Sequence, residues 1–214
     1  MKKNIAAIFL SILMALCLIG CGDGSGEPAA VQKNEDGSIN IRDNNLYYVK
    51  IDGKIFKAGA KIADIEKAGY TMSDKRRDEM LPAKRYSMDN DMKNAAGTTV
   101  FQVKALNTGS EKVKYAEAEL GGFTVGSYNT SKIAEETLSL NIEVYGGLKL
   151  GGSYDDIVNA LGEPDFSHKN EKSDLLPAYT TYKYSSGYRG YEFIVDDGGK
   201  ISQISWNNYD YNEK

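Results

Sequence analysis

Few side chains in this sequence belong to types that carry out covalent chemistry. The chain contains one histidine, His168, and two cysteines, Cys17 and Cys21. Adjacent carboxylates occur at 155–156 and 196–197, but a helix start explains the first pair and a turn explains the second. The sequence has no Gly-x-Ser-x-Gly or Ser-x-x-Lys motif. We therefore predict a protein that is not an enzyme, with no catalytic residues and no cofactor.

One short acidic segment has the type of ligand that Ca²⁺ prefers. Asp89, Asn90 and Asp91 offer side-chain oxygens, but the segment lacks the following glycine and the distal glutamate of a twelve-residue calcium loop. His168 lies in a polar connection after a predicted helix, where a lone histidine is typically solvated. The sequence therefore predicts no metal site.

The first 20 residues predict an export signal. Lys2 and Lys3 precede an apolar stretch, and the chain turns polar directly after Cys21 without a stop-transfer pattern. The four residues 18–21, Leu-Ile-Gly-Cys, resemble the bacterial lipobox, whose cysteine thiol receives a diacylglycerol before cleavage of the preceding peptide bond. We predict a signal peptide at 1–20, a lipid anchor on Cys21, and a location on the extracytoplasmic face of the cell membrane. The alternative is an ordinary secretory signal that happens to end in cysteine.

Cleavage at that point makes the protein more acidic. It removes Lys2 and Lys3 and no acid, so the formal net charge moves from -4 to -6. An acidic chain disfavours nucleic acid as a partner and disfavours electrostatic binding to an anionic membrane. Apart from Cys21 the exported chain has no cysteine, so the domain folds without a disulfide.

Residues 21–45 have the composition of a linker. Between residues 22 and 45 the only large apolar side chains are Val31, Ile39 and Ile41. As a flexible coil, this segment would hold the folded part about 25 Å from the bilayer. We predict a lipidated flexible tether over 21–45.

The remaining chain contains an internal repeat at an offset of about 92 residues. Phe-Lys-Ala-Gly at 56–59 aligns with Leu-Lys-Leu-Gly at 148–151. Each unit contains an alternating strand, a short helix and further strands. These further strands are predicted at 99–106 and 113–120 in the first unit and at 178–185, 188–196 and 200–206 in the second. We predict an α+β fold of two tandem modules, at 46–125 and 126–214, each with a short helical layer packed on an antiparallel β-sheet.

The second helix carries clear boundary signals. Ser153 is a good N-cap, and Asp156 three residues later completes a capping-box pattern. Gly162 is suited to the C-terminal left-handed position, and Pro164 prevents continuation of the helix. The sequence therefore predicts a helix that begins after Ser153 and ends before Gly162.

The string at 150–165, Leu-Gly-x-Ser-Tyr-Asp-Asp-Ile-Val-x-Ala-Leu-Gly-Glu-Pro-Asp, continues into tyrosine-rich strands and Asp-Gly-x-Lys-Ile at 197–201. It resembles the small α+β module shared by the β-lactamase inhibitor proteins and the outer-membrane-assembly lipoprotein family (SmpA/OmlA, BamE). The resemblance is good over about 147–206 and weaker over 47–120. The whole chain is also similar to two-part lipoproteins of Gram-positive gut anaerobes, a group without an assigned activity. These resemblances imply a fold rather than a function.

Aromatic side chains are concentrated near the C-terminus. Many of them suit the half-buried face of an ordinary sheet, but a face left uncovered would offer rigid contact area to a protein or glycan. Alternation places Tyr182 and Tyr184 on one face and Thr181 and Lys183 on the other, while the sequence leaves open which face is buried. The predicted interaction face comprises Tyr179, Tyr182, Tyr184, Tyr188, Trp206 and Tyr209.

These observations predict a membrane-anchored lipoprotein that acts as a non-catalytic protein-binding module at the cell envelope. The expected partner is another envelope or extracellular protein. A glycan-binding or small-ligand-binding lipoprotein is the alternative, and an enzyme of unknown type is the third. A protein binder is expected to have a broad exposed face, whereas a ligand binder needs a closed cleft between the modules.

Overall fold

The structure of the protein is a computed structural model that describes residues 28–35, 37–128 and 133–209. The predicted signal peptide at 1–20 and the predicted lipidation site Cys21 lie outside the described residues. Within the described ranges, every helix is too short or too polar to cross a membrane.

The described residues form twelve strands and four short α-helices, numbered in chain order. The helices are α1 (Ile62–Lys67), α2 (Asp74–Asp78), α3 (Glu135–Ser139) and α4 (Tyr154–Leu161). The strands are β1 (Tyr48–Ile51), β2 (Lys54–Lys57), β3 (Met80–Leu81), β4 (Arg85–Lys93), β5 (Thr99–Asn107), β6 (Val113–Lys114), β7 (Glu119–Gly126), β8 (Ile142–Glu143), β9 (Phe166–Asn170), β10 (Tyr179–Ser186), β11 (Arg189–Asp196) and β12 (Ile201–Asn207).

One seven-stranded antiparallel sheet dominates the fold, in the order β4-β5-β7-β12-β11-β10-β9. Its two halves join where β7 pairs with β12, from Gly126 opposite Gln203 to Gly122 opposite Asn207. A three-stranded sheet, β2-β1-β8, and a two-stranded sheet, β3-β6, accompany it. Strands from both predicted modules therefore belong to the seven-stranded sheet and to the three-stranded sheet.

The prediction of an α+β fold with two helix-on-sheet modules is wrong. Strand accounts for 43% of the structure and helix for 19%, and the α-helices are only five to eight residues long. Such short helices do not form a layer over seven strands. The physical reason is that β7 pairs with β12 across the boundary between the two predicted modules, so backbone pairing rather than helix packing organises the chain.

One hydrophobic core lies on a single face of the large sheet, here called the inner face. Trp206 is fully buried there between Tyr47 and Phe123, with ring centroids 5.8 and 6.3 Å away. Tyr47 stacks on Tyr191 at 5.6 Å, and the Tyr191 hydroxyl donates to the Leu46 carbonyl at 2.7 Å. These contacts join the residues before β1 to β11 and β12, so the core spans both predicted modules.

The described part of the predicted tether is packed against the domain. Val31 and Ile39 are buried in the core. The Lys33 ammonium donates to the Asn159 carbonyl on α4, and Arg42 Nε donates to Ser186 Oγ at 2.9 Å. A flexible coil therefore does not describe residues 28–35 and 37–45. Residues 21–27 of the predicted tether lie outside the described part of the chain.

The boundaries of α4 confirm the sequence signals. Ser153 Oγ accepts from the Asp156 backbone N–H, and Asp156 accepts from the Ser153 N–H, which completes the capping box. Gly162 follows the helix with φ +86°, and a Cβ atom there would lie 3.0 Å from Ser38 Cα. The glycine therefore permits both the turn and the close approach of the N-terminal segment.

Candidate interaction surface

The face of the large sheet opposite the core is called the outer face. Because directly paired residues project to the same side, strand pairing places one row of side chains across all seven strands. That row consists of Asp91, Gln102, Thr124, Ser205, Glu192, Lys183 and Phe166.

The polar groups of this row are paired with one another along the outer face. Gln102 Nε2 donates to Asp91 Oδ1 at 2.8 Å, and the hydroxyls of Thr124 and Ser205 lie 3.1 Å apart. The Lys183 ammonium lies 2.7 Å from the Glu192 carboxylate, and both side chains are partly exposed. The centre of the outer face is therefore polar and internally satisfied.

A second row lies beside the first and depends on a glycine. Lys104 Nζ donates to Asn207 Oδ1 at 2.8 Å and lies 3.8 Å from Asp89. Between Lys104 and Asn207 the intervening residue is Gly122, where a Cβ atom would lie 3.0 Å from Lys104 Cδ and 2.9 Å from the Trp206 carbonyl. Gly122 therefore leaves the space in which the Lys104 side chain crosses β7.

Tyrosine clusters lie at both ends of the outer face. At one end, Tyr209 stacks between Tyr86 and Tyr188, with centroids 3.9 and 6.1 Å away. At the other end, Tyr128 stacks on Tyr179 at 6.1 Å. Tyr188 and Tyr128 are 54% and 45% exposed, so each cluster presents an aromatic ring to solvent.

The outer face has the dimensions of a protein-binding surface. Its six inter-strand spacings of about 4.8 Å give a width of about 29 Å, and six residues along β10 at about 3.3 Å each give about 20 Å. The product, about 600 Å², approaches the roughly 800 Å² that each partner contributes to a standard protein interface.

The register divides the six predicted interface residues between the two faces. Tyr182, Tyr184 and Trp206 lie on the inner face: Tyr182 stacks on Tyr154 of α4 at 4.4 Å, and the Tyr184 hydroxyl donates to the Gly162 carbonyl at 2.8 Å. The other three, Tyr179, Tyr188 and Tyr209, lie on the outer face. The six residues therefore do not form one exposed face, because Tyr179 and Tyr182, three residues apart on β10, project to opposite sides.

Sequence reasoning missed the contribution of β4, β5 and β7 to the outer face. Tyr86, Asp89 and Lys104 lie there, and Tyr128 follows β7 directly. The alternation of apolar and polar residues along 99–107 was the available signal for the β5 part. The pairing of β7 with β12, which brings these residues beside Tyr188, has no comparable local signal.

The buried tyrosines of the inner face are neutral hydrogen-bond donors. Burial raises the pKa of Tyr47, Tyr184 and Tyr191 well above the ordinary value of 10.0. Burial and the hydrogen bond to Glu163 raise the pKa of Tyr154 to about 12. These hydroxyls stay protonated at neutral pH, so they serve packing and hydrogen bonding.

The residues that the sequence analysis considered for chemistry take part in local packing, helix capping, a turn or a buried hydrogen bond. His168 lies on edge strand β9, where it is exposed and stacks on Phe166 at 6.3 Å, rather than in a loop. A backbone hydrogen bond from Ser153 lowers the pKa of Asp156 within the capping box, and Asp196 Oδ1 accepts from the Lys200 N–H in a turn. Asn90 is buried and accepts from Arg76 Nε at 2.6 Å.

The described residues form two surface pockets of note, and each is lined from one half of the chain, apart from Lys33 in the first. The first, of about 490 Å³, lies between Lys33, the loop 145–149 and α4. The second, of about 410 Å³, lies between α1 and α2. Among the residues of 28–35, 37–128 and 133–209, no group of three or more His, Cys, Asp or Glu side chains is placed to hold a metal ion.

Comparison with known proteins finds no matching family model, no matching curated protein and no matching solved structure.

Proposed function

We propose that this protein is a lipid-anchored, non-catalytic protein-binding module on the extracytoplasmic side of the cell membrane, and that the outer face is its binding surface. The anchor is proposed from the lipobox-like sequence ending in Cys21. The resemblance of 147–206 to the modules of β-lactamase inhibitor proteins and BamE-type lipoproteins stays a prediction.

The observation that carries the proposal is the partly exposed polar surface across seven strands, with tyrosine clusters at both ends. Its area of about 600 Å² suits a folded partner better than a small ligand, which would be enclosed in a concave pocket. Tyrosines are frequent anchors of protein interfaces because they provide rigid contact area with a polar tip.

The ion pair at the centre of the surface also favours binding of a second protein. Because Lys183 and Glu192 already neutralise each other, a partner does not have to supply a charge for either of them. The partner's contacts at the centre are then shape contacts, and the aromatic ends supply the anchors. In most protein interfaces the anchors lie near the centre and the polar residues at the rim, so this surface differs in having two separate anchor sites.

The test is a crosslinking pull-down from native envelopes with four forms of the full chain. Tyr188→Ala removes an exposed anchor, and Thr124→Arg places a bulky charge at the centre of the outer face. Leu175→Ala is the matched control, because Leu175 is 85% exposed and lies outside the outer face. Circular dichroism establishes that each variant is folded.

The proposal predicts that one protein is recovered with the unmodified chain and with Leu175→Ala, is lost with Thr124→Arg, and is reduced with Tyr188→Ala. That protein, once purified, must bind the chain saturably. Equal recovery with all four folded forms contradicts the outer face as the binding surface. Recovery of glycan in place of protein supports the alternative of a glycan-binding lipoprotein.

A further inference from the structure

The pocket between α1 and α2 contains a buried acid that the fold leaves incompletely paired. Its lining residues are Ala63, Glu66, Lys67, Thr71, Met72, Asp74 and Arg77. The Glu66 side chain is only 8% exposed. Its Oε2 atom accepts from Arg77 Nε at 3.0 Å, whereas Oε1 is buried without a hydrogen-bond partner among the described residues.

An unpaired oxygen of a buried carboxylate is energetically unfavourable. Removal of a charged acceptor from water costs free energy that a hydrogen bond normally recovers. Most buried polar atoms in folded proteins do have such a partner. A ligand that brings an N–H donor to Oε1 would therefore recover part of this cost, and that gain is available only in the bound state.

The charges of the pocket specify the rest of the ligand. Two acids, Glu66 and Asp74, and two bases, Lys67 and Arg77, line it, so the lining is balanced. A lone cation near Glu66 would also be repelled by the two bases. A zwitterion keeps the balance, since its ammonium group donates to Glu66 Oε1 while its carboxylate faces the guanidinium of Arg77.

The floor and volume of the pocket suit a small ligand with an apolar part. Met72 is almost fully buried, and Ala63 also lines the pocket. The volume of about 410 Å³ is within the range of small-molecule sites. We propose that this pocket binds a free α-amino acid with an apolar side chain, a function separate from the protein-binding surface proposed above.

Access to Glu66 Oε1 requires movement of a side chain that lines the pocket, because this atom has almost no exposed surface. Lys67 and Arg77 are the long lining side chains, with 75% and 51% exposure. Exposed side chains of this kind change rotamer within nanoseconds. Entry of a small amino acid therefore needs no rearrangement of α1 or α2.

Calorimetric titration of the full chain in detergent tests this proposal with L-leucine as the probe. Two fragments of leucine separate its charged groups: 3-methylbutylamine lacks the carboxylate, and 4-methylpentanoate lacks the ammonium. We expect saturable binding of leucine and much weaker binding of both fragments. Binding of the amine as tight as that of leucine overturns the assignment to a zwitterion.

Variants of the pocket locate the binding. Glu66→Gln should weaken leucine binding about 10-fold to 100-fold, because it removes a charge-assisted hydrogen bond. Asp78→Asn is the matched control, since Asp78 lies on α2 outside the pocket and pairs with Lys114 at 3.0 Å. Ala63→Leu, which fills the pocket and keeps Glu66, should also abolish binding.

The proposal is overturned if the folded full chain does not bind leucine up to about 10 mM, an affinity limit of about -3 kcal/mol. It is also overturned if Glu66→Gln and Ala63→Leu bind leucine as tightly as the unmodified chain. Neither result bears on the pull-down experiment, because the outer face and this pocket share no residue.

Discussion

Replacement of Trp206 by alanine tests directly on which face of the sheet the C-terminal aromatic residues lie. Trp206 has no exposed surface and contacts the rings of Tyr47 and Phe123. Its indole N–H has no hydrogen-bond partner among the described residues, so truncation removes packing without breaking a hydrogen bond. We expect Trp206→Ala to lower the free energy of unfolding by about 3–5 kcal/mol, the usual cost of a buried tryptophan.

The matched comparison is Tyr188→Ala on the outer face. Tyr188 is more than half exposed, so its truncation should cost less than about 1 kcal/mol. Urea denaturation followed by circular dichroism measures both values, because loss of the only tryptophan removes the fluorescence signal. If Trp206→Ala fails to fold, Trp206→Phe gives the same ordering with a smaller loss. Equal, small losses for Trp206→Ala and Tyr188→Ala would contradict the assignment of Trp206 to the inner face.

Three further predictions concern pH, the N-terminal segment and the lipid anchor. Burial and the Asp52 carboxylate raise the pKa of folded Tyr70 to about 12, and the pKa of Tyr154 is raised to the same value. The stability that a raised tyrosine pKa contributes is fully present below pH 10 and is lost as the pH approaches 12. The midpoint of unfolding should therefore fall over that window, and it should fall less steeply in Tyr70→Phe. Ile39→Ala should lower the free energy of unfolding by about 2 kcal/mol, measured by urea denaturation, because Ile39 is packed in the core; a loss near zero would restore the flexible tether over 28–45. Cys21→Ser should abolish labelling of the expressed protein by radioactive fatty acid and release it from the membrane fraction, whereas retention of the label would contradict the proposed anchor.

Local structure followed from the sequence where a few neighbouring residues determine it. Ser153, Asp156 and Gly162 predicted the bounds of α4 because capping depends on residues within one turn. The strands expected at 178–185, 188–196 and 200–206 are close to β10, β11 and β12 for a similar reason. Alternating apolar residues and glycine turns are short-range signals.

The arrangement of the strands did not follow from the sequence. The segment 113–120, expected as one strand, contains β6, a 3-10 helix over 115–117 and only the start of β7. β1 pairs with β8 across 91 to 93 residues of chain, and β7 pairs with β12 across 77 to 85. Such pairings depend on which edges meet in three dimensions, and the repeat pattern favoured pairing within each unit instead.

The outer face was predictable only in part, since its composition depends on register. The sequence established that Tyr182 and Tyr184 share a face that excludes Lys183. Which of the two sets is buried depends on what covers the sheet, and the N-terminal residues Leu46 and Tyr47 provide that cover on the inner face. The residues that directly follow the predicted linker thus determine which face of the sheet is exposed.

Site-specific photocrosslinking in intact cells tests the central claim most directly. A photoreactive amino acid replaces Thr124 at the centre of the outer face in one form, and exposed Lys54 of β2 in the other. The proposed function predicts a crosslinked protein adduct from position 124 and none from position 54. An adduct from position 54 alone, or from neither position in a folded and exported chain, would contradict the outer face as the protein-binding surface.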